Sequence, residues 1–135
     1  MSNALIRMNP AALPDTSKVG HSQISIAGPS RLAFVSGQVA WDAAGSAVPK
    51  TLGAQTTQVI ANLAAALQAI NASTSDIVQM RIYMTKLNDE TIDIAMGQIA
   101  VFLNGEQPSL TGIGVDALAG PDLQIEVEMV VQIPV

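Results

Sequence analysis

The sequence predicts an α+β domain in which two helices pack on one face of a mixed sheet. Several short segments alternate apolar and polar residues, which indicates strands with one buried face. Two longer segments carry apolar residues at helical spacing instead. The resulting order, ββαβαββ, most simply places both helices on the same side of a single sheet. The length of 135 residues fits one domain over residues 1–135.

The first third of the chain predicts an arm followed by two strands. Residues 8–20 contain two prolines and a glycine, which favours an extended arm. Residues 22–26 and 32–39 have strand patterns. The Gly-Pro-Ser sequence between them predicts that these strands pair as a hairpin.

Two helices are predicted in the middle of the chain. The first is the clearest element and carries Leu52, Val59, Ile60, Leu63, Leu67 and Ile70 at helical spacing. The second spans residues 89–103, with Asn88 or Asp89 as its N-cap and Asn104-Gly105 as its end. Its predicted apolar side consists of Ile92, Met96, Ile99 and Phe102.

Three further strands complete the predicted sheet. Val78, Met80, Ile82 and Met84 alternate with polar residues between the helices. Residues 110–115 contain two glycines, which suggests a bulge or a close backbone approach. Residues 123–133 alternate again. Since both helices cover one face, nothing from the same chain is expected to cover the other.

The composition indicates that a second copy covers this open face. Hydrophobic residues make up 49% of the chain and charged residues 13%, roughly half the usual share of about 25%. So few charges cover the surface of a small domain thinly, and apolar patches then face either water or another copy. We therefore expect a homo-oligomer.

Charge and residue types exclude several functions. The net charge is −5 and Lys and Arg form no cluster, which argues against nucleic acid and against anionic membranes. Without cysteine and with one histidine, the chain offers neither thiolate chemistry nor a His-based metal cluster of its own. No apolar run resembles a signal peptide or a membrane span, so a cytoplasmic location is expected.

Three places could carry chemistry. Glu126 and Glu128 lie two apart on one strand and share a face, which is either a solvated surface or the acid of a cleft between subunits. His21 is either a turn residue or a catalytic residue. Ser36 and Gly37 interrupt an apolar strand, either at a bulge or where the backbone faces a ligand.

Five segments occur in a recognisable order and spacing. They are Gly20-His21-Ser22-Gln23, Val35-Ser36-Gly37-Gln38-Val39, Gln55 through Asn62-Leu63, Tyr83-Met84-Thr85-Lys86-Leu87-Asn88-Asp89, and Leu118 through Ile125-Glu126-Val127-Glu128. Together they resemble the RidA/YjgF family of imine and enamine deaminases, formerly labelled endoribonuclease L-PSP. The resemblance extends from about Asn9 to Ile133, and its most specific part combines the Ser-Gly-Gln strand with the closing Ile-Glu-Val-Glu strand.

The resemblance implies a chorismate-mutase-like fold and a homotrimer. Its sheets would face inward, its helices outward, and small-molecule clefts would lie between the subunits. In active members an arginine on the penultimate strand grips the carboxylate of a 2-imino acid. A glutamate on the last strand helps to activate water, and no cofactor is needed.

The family's site residues transfer unevenly to this chain. Glu126 matches the family glutamate, and Ser36 and Gly37 match the strand that borders the cleft. His21 stands where the family usually has tyrosine, and Leu110 occupies the arginine position. An asparagine early in the second helix is also missing, with Asp93 or Ile94 at that place.

Of these differences, Leu110 has the largest expected effect on substrate choice. An arginine–carboxylate pair makes two charge-assisted hydrogen bonds, and the loss of one partner costs roughly 2–5 kcal/mol. Leu110 therefore predicts poor handling of 2-imino acids and a better fit for a neutral or cationic molecule. Whether Arg81 or Lys86 of a neighbouring copy replaces the lost cation stays open.

Three functions are compatible with these observations. The chain is either a Rid-type hydrolase of altered substrate choice that uses Glu126 and His21, a trimer that binds a small metabolite without turnover, or a chaperone-like interaction protein. Ribonuclease activity fits poorly with the negative charge.

Overall fold

The computed structural model describes residues 5–134, within which two α-helices and six strands are formed. Short 3-10 helices lie at Thr16–Val19 and Thr74–Asp76. The predicted α+β class is confirmed, with one additional strand at the start. The elements are β1 (Ile6–Met8), β2 (Ile24–Ile26), β3 (Leu32–Gln38), α1 (Leu52–Ala69), β4 (Ile77–Met84), α2 (Asp89–Leu103), β5 (Ser109–Gly114) and β6 (Ile125–Gln132).

A four-stranded mixed sheet forms the centre of the domain, with the strands in the order β3-β6-β4-β5. Strand β6 runs antiparallel to both of its neighbours, whereas β4 and β5 are parallel. Helix α2 makes the crossover that a parallel pair requires. The last strand of the sequence is therefore an inner strand with partners on both sides.

The two helices cover one face of this sheet. Every second residue of β6 is essentially inaccessible to solvent, and the buried set continues through alternate residues of β4 into both helices. Removing this apolar surface from water is the main source of the domain's stability. The fully buried core includes Val59, Leu63, Ile77, Met80, Ile99, Ile125, Val127 and Val131.

The predicted hairpin between the first two strand segments is wrong. Strand β2 pairs with β1, and β3 pairs with β6, so no ladder joins β2 to β3. The arm of residues 8–20 is also not simply extended, because it contains a turn and the 3-10 helix Thr16–Val19. The β1–β2 pair lies outside the central sheet and touches it through a bridge between Ser22 and Ser109.

Two predicted apolar faces are shifted. In β4 the register with β6 changes between Ile77 and Gln79, so the bulge turns Val78 aside and Ile77 takes the buried position. In α2 the buried residues are Ala95, Ile99 and Leu103, whereas Ile92 is 38% exposed. The small Ala95 lets the helix lie close to the sheet, and larger neighbours are displaced to its flanks.

The predicted helix ends are confirmed. The Asn88 side-chain oxygen caps α2 by accepting a hydrogen bond from the Thr91 backbone N–H at 3.0 Å, and the Thr91 hydroxyl oxygen accepts one from the Asn88 backbone N–H at 3.0 Å. Asn104 ends the helix in the left-handed conformation. Neither helix has the length and apolar character needed to cross a membrane, as judged over residues 5–134.

The other face of the central sheet, called the open face below, points away from both helices. The β2 segment contacts it at one end, where Ser25 bonds the Ser109 side chain and the Gly28 backbone N–H donates to Gln132. Strands β3, β4 and β6 each contribute alternate side chains to it, including Phe34, Arg81, Tyr83, Glu126 and Glu128. Phe34 is 76% exposed there. A largely exposed phenyl ring beside two acids is typical of an interaction surface rather than of a face that only contacts solvent.

Gln55 is a buried polar residue that ties α1 to the loops before β6. Its amide nitrogen donates to the carbonyls of Pro49 and Asp122 at 2.9 and 2.8 Å. Its amide oxygen accepts from the Gln124 backbone N–H at 2.8 Å. The side chain is fully buried, so these three bonds replace water for three backbone groups.

Replacing Gln55 by leucine is expected to lower the free energy of unfolding by about 2–4 kcal/mol, because buried backbone groups lose their partners. Chemical denaturation at a fixed protein concentration measures this change. The same substitution at Gln68, an exposed residue of the same helix, is the control and should shift stability by less than about 0.5 kcal/mol. Equal shifts for both variants would contradict a bonding role for Gln55.

Candidate functional site

A bulge in β3 places Gly37 against Glu126. The register between β3 and β6 breaks after the pair Val35–Met129 and resumes at Gln38–Val127. A Cβ on Gly37 would clash with the side chain of Glu126, from its Cγ to its Oε2 atom. Glycine at this position is therefore what allows the Glu126 carboxylate to lie over the β3 backbone. The exposed Ser36 precedes it in the same bulge.

Glu128 is held by two neighbouring side chains on the open face. Arg81 is its direct cross-strand partner, and Arg81 Nη1 lies 3.8 Å from Glu128 Oε1. Tyr83 is opposite Glu126 in register, yet its hydroxyl donates a hydrogen bond diagonally to Glu128. Diagonal neighbours are within reach of an aromatic side chain. The presence of an acid at position 128 is therefore explained by its contacts within the fold.

Glu126 has no such partner. Within residues 5–134 its carboxylate forms no hydrogen bond and no salt bridge, because Tyr83 and Arg81 are both directed to Glu128. A half-buried carboxylate without a partner is more costly than a paired one. This acid is therefore available to a ligand in a way that Glu128 is not.

The hydrogen bond to Glu128 also changes the titration of Tyr83. Donation to the carboxylate raises the pKa of the Tyr83 phenol above its ordinary value, with burial and the negative charge of Glu128 adding to the effect. A raised phenol pKa means that the bond stabilises the fold below the ordinary pKa of about 10. That contribution is lost as the pH rises through the raised value.

His21 and Leu110 form a second group, at the edge of the sheet. The Ser22 backbone N–H donates to the Pro108 carbonyl at 3.1 Å, and the Ser22 hydroxyl donates to the Gln107 carbonyl at 2.6 Å. These bonds fasten the segment after the first 3-10 helix to the start of β5. His21 and Leu110 consequently line the same cavity.

This cavity, called the β5 cavity below, has a volume of about 250 Å³ and lies between β4, β5 and α2. Its wall is almost wholly apolar, and the sequence patterns gave no direct sign of it. The available sign in the sequence was the predicted apolar side of α2, because two of its members, Ile92 and Met96, line this cavity. Its lining consists of Val19, His21, Ile82, Met84, Leu87, Ile92, Ala95, Met96, Leu110 and Gly112.

The predicted site residues thus fall into two groups on opposite faces of the sheet. Ser36, Gly37 and Glu126 lie together at the open face. Leu110 pairs in register with Met80, which is fully buried under the helices, and so it faces the helix side. Leu110 and Glu126 of one chain therefore do not line a common space, and only two copies could bring the two groups together.

Two further expectations concern α2 and metals. Asp93 and Ile94, at the family's asparagine position, are both exposed and do not line the β5 cavity. Over the part of the chain that the structure describes, no group of three or more His, Asp or Glu side chains is arranged to hold a metal ion.

Substituting Glu128 by glutamine should lower the pKa of Tyr83 toward about 10, because the phenol then loses its charged acceptor. Tyr83 is the only tyrosine, so the ultraviolet absorbance of the phenolate reports this group alone. Glu126→Gln is the matched control, since Glu126 faces Tyr83 in register but does not bond it. A larger shift in the control than in Glu128→Gln would refute the assignment of the bond.

Comparison with known proteins is consistent with this architecture. The chain matches the family model described as Endoribonuclease L-PSP over residues 15–133. The crystal structure of YyfB from Yersinia pestis, described as a protein of unknown function of the conserved Rid family, is 34% identical, with a TM-score of 0.87 over 96% of this chain and 98% of that chain. RidA from the Antarctic bacterium Psychrobacter is 22% identical, with a TM-score of 0.69 over 98% and 100% of the two chains, and supports the fold. No curated protein matches the chain. The chain therefore belongs to the RidA/YjgF family, as its sequence motifs predicted.

Proposed function

We propose that this protein is a homotrimer whose clefts between neighbouring copies bind a small imine or enamine and hydrolyse it with release of ammonia. We further propose that it acts weakly or not at all on 2-imino acids. The observation that carries the proposal is the Glu126 carboxylate, which lies over Gly37 and has no partner among residues 5–134, whereas Glu128 accepts a bond from Tyr83 and lies 3.8 Å from Arg81.

The open face supports assembly with other copies. Phe34 is 76% exposed and Leu32 is 41% exposed on this face. Burying one such side chain contributes about 1.5–3 kcal/mol, so a neighbouring copy would gain substantially by covering it. Assembly would also explain why the two groups of site residues lie on opposite sides of one sheet, since each cleft would combine the open face of one copy with the β5 cavity of the next.

The proposed reaction needs only an acid–base group and water. Glu126 removes a proton from water as the oxygen attacks the imine carbon, which gives a carbinolamine. Glu126 returns this first proton to the nitrogen. It then takes the proton of the carbinolamine hydroxyl and passes it to the amine, so that the carbon–nitrogen bond breaks, ammonia leaves and the carbonyl forms. The imine and one water molecule thus become a carbonyl compound and ammonia, without any redox change.

Leu110 supports the proposed substrate choice. The lining of the β5 cavity contains no arginine or lysine, and a leucine side chain cannot hold a carboxylate. An anionic substrate would instead meet the acid Glu126 without a compensating charge. A neutral or cationic imine avoids this cost. His21 is the only titratable side chain in the cavity lining and is proposed to assist Glu126.

A trimer that binds a metabolite without turnover is the second candidate. It is favoured by the apolar character of the β5 cavity, which offers His21 as its only polar side chain. In that case Glu126 would fix the orientation of a ligand rather than activate water.

Glu126→Gln should reduce imine hydrolysis by about 10²–10⁴-fold, the usual contribution of a general acid or base. Ammonia release from benzaldimine, generated in place by an amine oxidase, measures the rate. Glu128→Gln is the matched control on the same strand and face, and its activity should stay within about threefold of the wild type. Both variants should sediment as trimers.

The outcomes separate the candidates. Loss of hydrolysis in Glu126→Gln alone supports the enzyme. A wild-type protein that binds the imine but never accelerates ammonia release supports the metabolite-binding trimer and contradicts the enzyme. A monomer in solution contradicts both.

Leu110→Arg should raise the hydrolysis of 2-iminopropanoate by at least tenfold, about 1.4 kcal/mol, because a guanidinium gives the substrate carboxylate a partner. The wild type should barely accelerate this reaction. Leu110→Met keeps the volume without the charge and is the control. Rapid turnover of 2-iminopropanoate by the wild type would overturn the assigned role of Leu110.

A further inference from the structure

The β5 cavity has the properties of a pocket for an uncharged organic group. Its volume is about 250 Å³, and a dry apolar cavity of about 150 Å³ is known to hold benzene. Among the residues that the structure describes, no Asp, Glu, Lys or Arg lines it. A ligand of one ring to two fused rings therefore matches its size, and a charged group inside it would lose hydration without gaining a partner.

Two features of the wall suit a ligand rather than a packing defect. Met84 and Met96 contribute flexible, polarisable side chains that adapt to an aromatic surface. Gly112 stands on the helix side of β5, because it pairs with the buried Ile82, and a Cβ added there would meet no atom within 4 Å. A side chain added at Gly112 would therefore project into empty space on the cavity side of β5.

We propose that the β5 cavity binds an uncharged aromatic or branched alkyl group of the ligand, so that the preferred substrate is an N-unsubstituted imine whose carbon carries an apolar group. This inference rests on the proposed function only in calling the ligand an imine. The binding preference itself follows from the cavity lining. Leu110 offers no partner to an anion, and among the described lining residues His21 alone has a side chain that can hydrogen-bond a polar atom.

The test compares two probes that share a ring system. Indole is uncharged, whereas indole-3-carboxylate adds only the anionic group. We expect calorimetric titration of the intact protein to detect indole, with indole-3-carboxylate at least tenfold weaker, about 1.4 kcal/mol. Equal affinity for the two probes, or no binding of indole, would overturn the proposal.

Two glycine substitutions locate the binding site. Gly112→Leu should fill the cavity and lower the affinity for indole at least tenfold, and Gly112→Ala should lower it by an intermediate factor. Gly97→Leu is the matched control: Gly97 is exposed on α2, and a Cβ there also meets no atom within 4 Å. Thermal unfolding confirms that each variant is folded. Indole binding that is equally strong in Gly112→Leu and Gly97→Leu would place the probe elsewhere and refute the proposal.

Failure of this inference differs from failure of the proposed function. If Glu126-dependent hydrolysis of benzaldimine is observed without indole binding, the proposed binding role of the β5 cavity is wrong and the proposed enzymatic function is retained. If Gly112→Leu abolishes indole binding but the wild type hydrolyses no imine, the binding role of the β5 cavity is retained and the proposed enzymatic function is wrong.

Discussion

The alternation of side chains along the central strand β6 organises both faces of the sheet. Ile125, Val127, Met129 and Val131 enter the core beneath the helices, which forces Glu126 and Glu128 to the open face. A slip of one residue would bury both acids and expose the core residues, so the register is fixed by a large energy difference. The position of Glu126 is thus a consequence of the hydrophobic core.

The same constraint divides the candidate site. Each strand of the sheet sends neighbouring residues to opposite faces, so Leu110 beside Met80 cannot face Glu126 of its own chain. A cleft built from both groups requires two copies, and assembly would then be part of the proposed chemistry rather than an addition to it. The low content of charged residues suits this arrangement, because exposed apolar side chains such as Phe34 can then pack against a neighbouring copy.

The open face also separates two acids that look equivalent in the sequence. Tyr83 leans diagonally from Glu126 toward Glu128, where Arg81 already lies, so one acid is satisfied and the other is left available. Gly37 completes this difference by leaving room for the Glu126 carboxylate. The family motif favoured Glu126, but spacing alone could not distinguish the two, since both occupy the same face of the same strand.

The amino-acid sequence was enough to predict the α+β class, the bounds and caps of α2, the bulge at Ser36-Gly37 as one of two alternatives, and the family. These features depend on local spacing and on cap residues such as Asn88, whose effect acts within one turn. Packing in three dimensions was needed to show that β2 pairs with β1, that Ile77 replaces Val78 in the core, and that Leu110 belongs to the β5 cavity. Those outcomes depend on which distant segments compete for the same strand edge or the same buried volume, and such competition is settled by packing rather than by local pattern.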